Sequence, residues 1–478
     1  MAHEREPSAL DRAVQMLPTM KNLSWTRRAG ASALVLALLS GCASFSPDGG
    51  FDSVAGMTRE RSGQNVAWQR TPADADAARG RIAELLAQPL TADGAVELAF
   101  LNNSGLQASF AELGIAESEL VRAGRLRNPS FSFGRLREAG GTVEIDRAVM
   151  FDVLGLLTLP LAQRLEARRF EQAQYQAAYD AVGLAAQTRR AYFAAVAARE
   201  LAGYYERVKD AADASSELGR RMQQAGNVSK LAQMREQAFQ ADALAQLARA
   251  RHQVVAERER LVRLLGLSGD QLEFQLPERL PELPPLPAET KDAEQIAMDK
   301  RLDVLMARRN AEATAASLGL TRATRFVNVL EAGYQNKSVT GEPRANGYTI
   351  ELELPLFDFG STRAARAEAT YMQAVARAAD VANSARSEVR ESYAAYRTAY
   401  ELAKHYRDEV VPLRKRISDE NLLRYNGMLI DLFALLADAR EQVAGMTGYV
   451  EALRDHWIAQ TDLQTAMTAR SPGASAGR

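Results

Sequence analysis

The sequence predicts a mainly α-helical chain with a small β part, made of duplicated helix-hairpin-helix halves. Three observations carry this. Two long polar-apolar runs are each interrupted at one glycine, Gly226 in QQAGNVSKLAQMREQAF and Gly427 in RYNGMLIDLFALLADAR. These places share a register of 201 residues, which also pairs Leu231 with Leu432, Ala238 with Ala439, Arg189 with Arg390, Tyr192 with Tyr393 and Glu200 with Glu401. Ahead of each long run lie short stretches in which apolar and polar residues alternate, the period of a strand.

The leader, residues 1–41, holds Arg27 and Arg28, an apolar core over 29–39 too short to span a membrane as an ordinary helix, and the small-residue exit Leu39-Ser40-Gly41-Cys42. It resembles a bacterial lipoprotein signal, with Cys42, the only cysteine, as the acylated first residue; Ala43 in place of an acid favours the outer membrane by the same resemblance. Residues 1–19 fit no signal, whereas Met20-Lys21 opens a normal one and reads as the true start. The polar Gly/Ala/Asp-rich segment 42–93 is expected to be extended.

In the first half, residues 94–267, a helix over 95–127 stops at Asn128-Pro129, a hairpin follows, and helices run over 161–224 and 228–267. The Pro-rich LPERLPELPPLP makes 268–289 a linker. In the second half, residues 290–469, a helix over 292–324 precedes a hairpin ending at Pro355, then helices over 361–425 and 428–467; 470–478 is a flexible end. A helix of about 64 residues rises roughly 95 Å, about the length of the two shorter helices of a half laid end to end. Each half therefore makes two columns, and the short Gly-containing turn joins antiparallel neighbours. From Leu429 through Leu432, Leu436, Ala439, Val443, Met446, Val450 and Leu453 to Trp457, spacings of three and four alternate, a coiled-coil seam. Pro412 is expected to bend its helix locally.

In the hairpins Val143, Ile145, Val149 and Phe151 oppose Glu144, Asp146 and Asp152, and Tyr348, Ile350, Leu352 and Leu354 oppose Thr349, Glu351 and Glu353. Such alternation fits a half-buried soluble sheet. Together with the lipoprotein-like leader it reads as strands with lipid on one side and water on the other. The acids then line a lumen that favours cations, unless Arg147 and basic loop residues neutralise them. Four strands cannot close a barrel, since the smallest membrane barrels need about eight, so several chains must share one.

These halves, with RLRNPSFSF after the first helix, LELPLFDFGSTR before the second long helix, and the AGNVSKL and YNGMLIDLF turns, resemble the TolC-type outer-membrane efflux proteins over residues 94–469. The resemblance implies a homotrimer with a 12-stranded outer-membrane β-barrel continued by a periplasmic barrel of twelve helical columns. Gly226, Asn227, Ser229, Lys230, Gly427, Met428, Leu429 and Asp431 would then form the periplasmic tip. That tip would meet a periplasmic adaptor bound to an inner-membrane pump, proton-driven, which supplies the energy for passive conduction. Some members carry acids six and nine residues past the second tip glycine; here Phe433 and Leu436 stand there, with Asp431 and Asp438 nearby. An apolar gate at Phe433 and Leu436 and plain coiled-coil packing are both open readings.

Net charge of -1 gives no electrostatic footprint for nucleic acid. His3, His252, His405 and His456 are scattered, with no H-E-x-x-H pair, G-x-S-x-G elbow or phosphate loop, so neither an enzyme nor a cofactor or metal is expected. The alternatives are the exit duct of a type I protein secretion system and a lipid-anchored periplasmic coiled-coil scaffold without channel activity. Cleavage and acylation at Cys42 predict a mature N-terminus whose mass carries acyl chains, each buried CH₂ adding about 0.8 kcal/mol to membrane attachment. An unmodified terminus at another residue would count against the assignment.

Overall fold

The computed structural model describes residues 44–324, 326, 329–353, 357–430 and 432–470. Cys42 and Asp431, and the side chains of Phe433 and Leu436, lie outside them.

Two helices replace the extended segment expected over 42–93. Helix α1 (Phe51–Ser62) closes on Gly63 at φ 76, and α2 (Pro72–Leu86) starts in a capping box made by Thr71 and Asp74, with Pro72 in the first turn. Their polar composition hides few but well-spaced apolar contacts: Val54 packs with Phe110 and Ala178, and Ile82 with Leu98 and Val196.

The helix expected over 95–127 is two, α3 (Ala92–Asn102) and α4 (Ser104–Ala123). Asn103 breaks it with extended backbone at ψ 109, because its side chain accepts from Leu106 N and restarts the helix. The Asn102 and Asn103 amides donate to Gly266 O at 2.7 Å and Leu264 O at 2.9 Å, tying the break to residues 264–266. Gly266, at φ 68, is needed there: a Cβ would meet Asn102 O at 2.6 Å.

Strands β1 (Ser130–Arg137) and β2 (Val143–Asp152) lead into α5 (Val153–Gln224), of 72 residues and about 110 Å. It begins eight residues before the expected 161, since Asp152 caps Gly155 N at 2.7 Å and the helix runs through Pro160 within its third turn. Ala177, Ala178, Ala181, Ala185 and Ala191 are buried along it, small enough for α1, α3 and α4 to close on the same helix. Helix α6 (Lys230–Leu265) returns antiparallel.

The linker then runs along the helices. Proline lacks an N–H and holds an extended backbone, which leaves its carbonyls free to accept. Trp457 Nε1 donates to Pro281 O at 3.1 Å, Arg407 to Leu283 O at 3.2 Å, and Tyr400 OH to Pro285 O at 2.8 Å. Leu276, Leu280 and Leu283 are buried beneath.

In the second half the helix expected over 292–324 is also two, α7 (Ala293–Lys300) and α8 (Leu302–Thr324). Arg301 stands between them in extended backbone, its side chain 1% exposed and held by Asp303, by Glu388 and by the carbonyls of Ala385 and Ala466. Strands β3 (Leu330–Val339) and β4 (Ala345–Leu352) complete an antiparallel sheet of order β1-β2-β3-β4. Helix α9 (Ser361–His405) continues through a π turn (Tyr406–Val410) into α10 (Val411–Asn426), and α11 (Leu432–Thr468) returns. The expected disturbance at Pro412 is that π turn: the widened turn absorbs the missing N–H and the crowded carbonyl ahead of the proline. Among the described residues no helix is long and apolar enough to cross a membrane.

His456 on α11 is fully buried and neither ring nitrogen has a partner. The rings of Tyr396, Tyr400 and Trp457 surround it at 5.2 to 5.6 Å, and burial pushes its pKa from 6.5 down to about 4. The neutral ring's contribution to stability is therefore complete above pH 6.5 and lost as pH falls towards 4. Thermal melting should weaken across that window, and His456→Phe should flatten this part of the profile; an unchanged profile would contradict the assignment.

Candidate functional site

Two regions answer to the residues singled out in the sequence, the helical tips and the sheet. At the first tip α5 ends at Gln224 and Gly226 turns left-handed at φ 78. Asn227 N reaches back to Met222 O at 2.9 Å and Gly226 N to Gln223 O at 3.0 Å, so two of the last carbonyls of α5 are satisfied. Ser229 then caps Ala232 N at 3.2 Å and Lys230 opens α6.

The second tip corrects an expectation. Gly427 has φ -82, a conformation open to any residue, and the left-handed position is Met428 at φ 58. Leu429 N donates to Arg424 O at 2.8 Å and Met428 N to Tyr425 O at 3.0 Å, repeating the first tip's bonds one residue later. Met428 therefore matches Gly226 at 202 residues. Upstream of the π turn, the ion pairs Arg189–Asp93 (2.9 Å) and Arg390–Glu294 (3.1 Å) stand 201 apart. A π turn accommodates one extra residue in a helix, which accounts for the shift. Leu422, Leu423, Met428 and Leu429 leave this tip exposed and apolar, whereas the first carries Asn227, Ser229 and Lys230.

Ten residues past each left-handed position lies a buried carboxylate not named as a site from sequence, Glu236 and Asp438. Glu236 is 1% exposed; Ser215 Oγ donates to it at 2.7 Å, and Arg440, stacked over Phe239 at 4.4 Å, approaches at 3.7 Å. One Asp438 oxygen is buried without a partner. The 202-residue spacing was the available signal, hidden by the 201-residue register upstream.

In the sheet, directly paired residues share a face. One face carries Phe131, Phe133, Val149, Phe151, Tyr334, Tyr348, Ile350 and Leu352, with Tyr348 84% and Phe131 67% exposed. The other carries Glu144, Asp146, Asp152 and Glu351, as the alternation predicts, and adds Glu331, which the less regular third strand concealed. Glu353 follows β4, its N–H donating to Val329 O at 3.2 Å. Arg147 is not the neutralising base: it lies on the apolar face, bonded to Asn336 at 2.9 Å. Lys337, opposite Asp146, takes that part and pairs with Glu144. At the helix end Glu331 stands directly between Asp152 and Glu351, and like charges so paired destabilise a sheet. Asp152 is also committed elsewhere, capping α5 and lying 3.4 Å from Arg127. Among the described residues no group of His, Cys, Asp and Glu is placed to hold a metal ion.

The tip geometry predicts an inversion of the apparent glycine requirement. Gly226→Ala should lose about 1 kcal/mol locally and Met428→Gly should gain about as much, since a side chain in left-handed backbone costs roughly 1–2 kcal/mol. Gly427→Ala should change little. Hydrogen exchange at the Asn227 and Leu429 amides reads this; the opposite order at the second tip would contradict the left-handed assignment of Met428.

Comparison with curated proteins finds no match. Residues 294–418 match the family model described as Outer membrane efflux protein. A membrane protein from Pseudomonas aeruginosa aligns with TM-score 0.68 and 20% identity, covering 78% of this chain and 91% of that one. The CmeC outer membrane channel of Campylobacter jejuni aligns at 0.64 and 15%, over 84% and 88%. The MtrE outer membrane channel of Neisseria gonorrhoeae, in its open state, aligns at 0.65 and 16%, over 78% and 88%. At these identities the likeness is one of fold. Residues 294–418 thus resemble the outer membrane efflux protein family, and the chain shares the fold of these outer membrane channels.

Proposed function

We propose that the chain is the outer-membrane exit channel of a tripartite efflux system. Three copies contribute twelve strands to one barrel and twelve helical columns to a periplasmic tunnel, each copy supplying two duplicated halves. Conduction is passive; a proton-driven inner-membrane pump delivers the cargo through a periplasmic adaptor docked at the Gly226 and Met428 tips, and acylated Cys42 adds a lipid anchor.

The observation that carries this reading is the sheet. A four-stranded sheet with an exposed apolar face and an acidic opposite face has no use for that apolar face in water. Lipid outside and water inside give each face its solvent. The recurrence of the Arg189–Asp93 ion pair as Arg390–Glu294 supports the duplication. A coiled-coil scaffold has no call for a lipid-facing sheet. Purified protein lacking the anchor, Cys42→Ala, should therefore insert into planar bilayers and conduct; absence of conductance would favour the scaffold.

The lumen should favour cations, and the source is narrower than the strand acids as a set. Lys337 offsets Glu144 and Asp146, and Arg127 approaches Asp152, whereas neither Glu331 nor Glu351 has a basic residue paired with it across the strands. Repeated by three copies, these acids make a ring that attracts counter-ions. Reversal potentials under a salt gradient should show cation preference in the native channel. Replacing Glu331 and Glu351 with Gln should lower it more than Glu144→Gln does. An anion-selective native channel would refute the inward assignment of this face.

A further inference from the structure

We propose that the outward face of the sheet carries, at the end remote from the helices, a basic girdle that binds phosphate groups of lipid headgroups in the outer leaflet. The proposal rests on the channel reading, which sets this face against lipid and this end at the cell surface.

Strand register divides the face into two zones. Near the helices it is wholly apolar or aromatic: Phe151, Ala332 and Ile350 share one row, and Phe131, Val149, Tyr334 and Tyr348 the next. Beyond these the composition changes. Phe133 pairs with Arg147, which is followed across the sheet by Asn336 and Asn346; Arg135 pairs with Ile145, and Arg137 with Val143. No position on this face of the four strands is acidic. Arg135 and Arg137 are exposed, and among the described residues no carboxylate pairs with either. The acids of the same strands all lie on the other side.

Three arginines gathered on one face without a counter-ion repel each other unless an anionic layer lies at their height. The cost of an arginine on a lipid-facing strand is greatest at the bilayer midplane and small at the interface, so their depth agrees with the headgroup zone. The aromatic row of Tyr334 and Tyr348 just inside them is the usual occupant of the boundary between hydrocarbon and headgroups. Guanidinium groups present paired donors that match phosphate oxygens, which a hydroxyl-bearing neutral headgroup does not reproduce. Aliphatic stems of Arg135 and Arg137 lie beside Ile145 and Val143, so the charged ends reach outward while the stems stay with the apolar rows.

The test uses the full chain reconstituted in phosphatidylcholine vesicles containing either bis-phosphorylated lipid A or its dephosphorylated form. Lipid retained through detergent re-extraction is counted by mass spectrometry. Native protein should retain the phosphorylated form over the other by roughly tenfold, the scale of a few charge-assisted pairs. The double variant Arg135→Gln, Arg137→Gln should lose most of that preference, Arg135→Lys with Arg137→Lys should keep much of it, and Lys337→Gln, on the opposite face, should leave it unchanged. Equal retention of both lipids, equal retention by the Gln variant, or displacement by inorganic phosphate at constant ionic strength would each overturn the proposal. Failure of the native chain to enter vesicles at all would instead refute the channel reading beneath it.

Discussion

A four-stranded antiparallel sheet has two open edges, and in hydrocarbon no row of backbone N–H and C=O groups can be left unpaired. Here the edges are β1 and β4, and no further strand in the described residues covers them. Soluble proteins blunt such edges with charge, proline or a covering helix. This chain places Phe131, Phe133, Tyr348 and Ile350 on its edge strands, and charge, Arg135 and Arg137, only at one end of β1. On the proposed channel reading, the constraint that every edge be satisfied would make association part of the fold; within one chain, the two hairpins already lie side by side although 177 residues separate β2 from β3.

Long helices run into and out of that sheet. The long α5 supplies one uninterrupted column, and its buried alanines let several neighbours approach it. The other columns are broken at Asn103, whose side chain caps its own restart and donates to Leu264 O, and at Arg301, whose side chain donates to Ala466 O while Asp303 accepts from Val304 N at the restart. The proline-rich linker ties the columns together about their middle, offering carbonyls where an ordinary segment would have formed its own bonds. His456 lies at the centre of the aromatic residues that hold this strap, so its neutrality is a condition of the packing there.

Much of this was legible in the amino-acid sequence. Strand alternation is a local signal with period two, and it placed Glu144, Asp146, Asp152 and Glu351 on one face without reference to any partner. Helix breaks were not legible: Asn103 caps its own restart locally, but the carbonyls that Asn103 and Arg301 also reach lie over a hundred residues away for Asn103 and more than eighty for Arg301. The expected start of α5 is also too late: residue 161 lies eight residues inside a helix that Asp152 caps. At the second tip glycine content pointed to Gly427, but the extra residue accommodated by the π turn moved the left-handed position to Met428. Glu331 stayed hidden because β3 places Asn336 and Ser338 on the apolar face and so blurs the alternation, and only its register against Asp152 and Glu351 reveals the acidic row.

The central claim is that three copies close one barrel by joining β1 of each to β4 of the next. Cysteine pairs test this most directly: Tyr348→Cys on β4 combined in turn with cysteines along β1, in a Cys42→Ala background, oxidised in native membranes and resolved without reductant. The account predicts that some β1 positions cross-link efficiently, at alternate residues, and that the covalent ladder ends at three copies. Cross-linking that continues beyond three, or none at any β1 position, would contradict it.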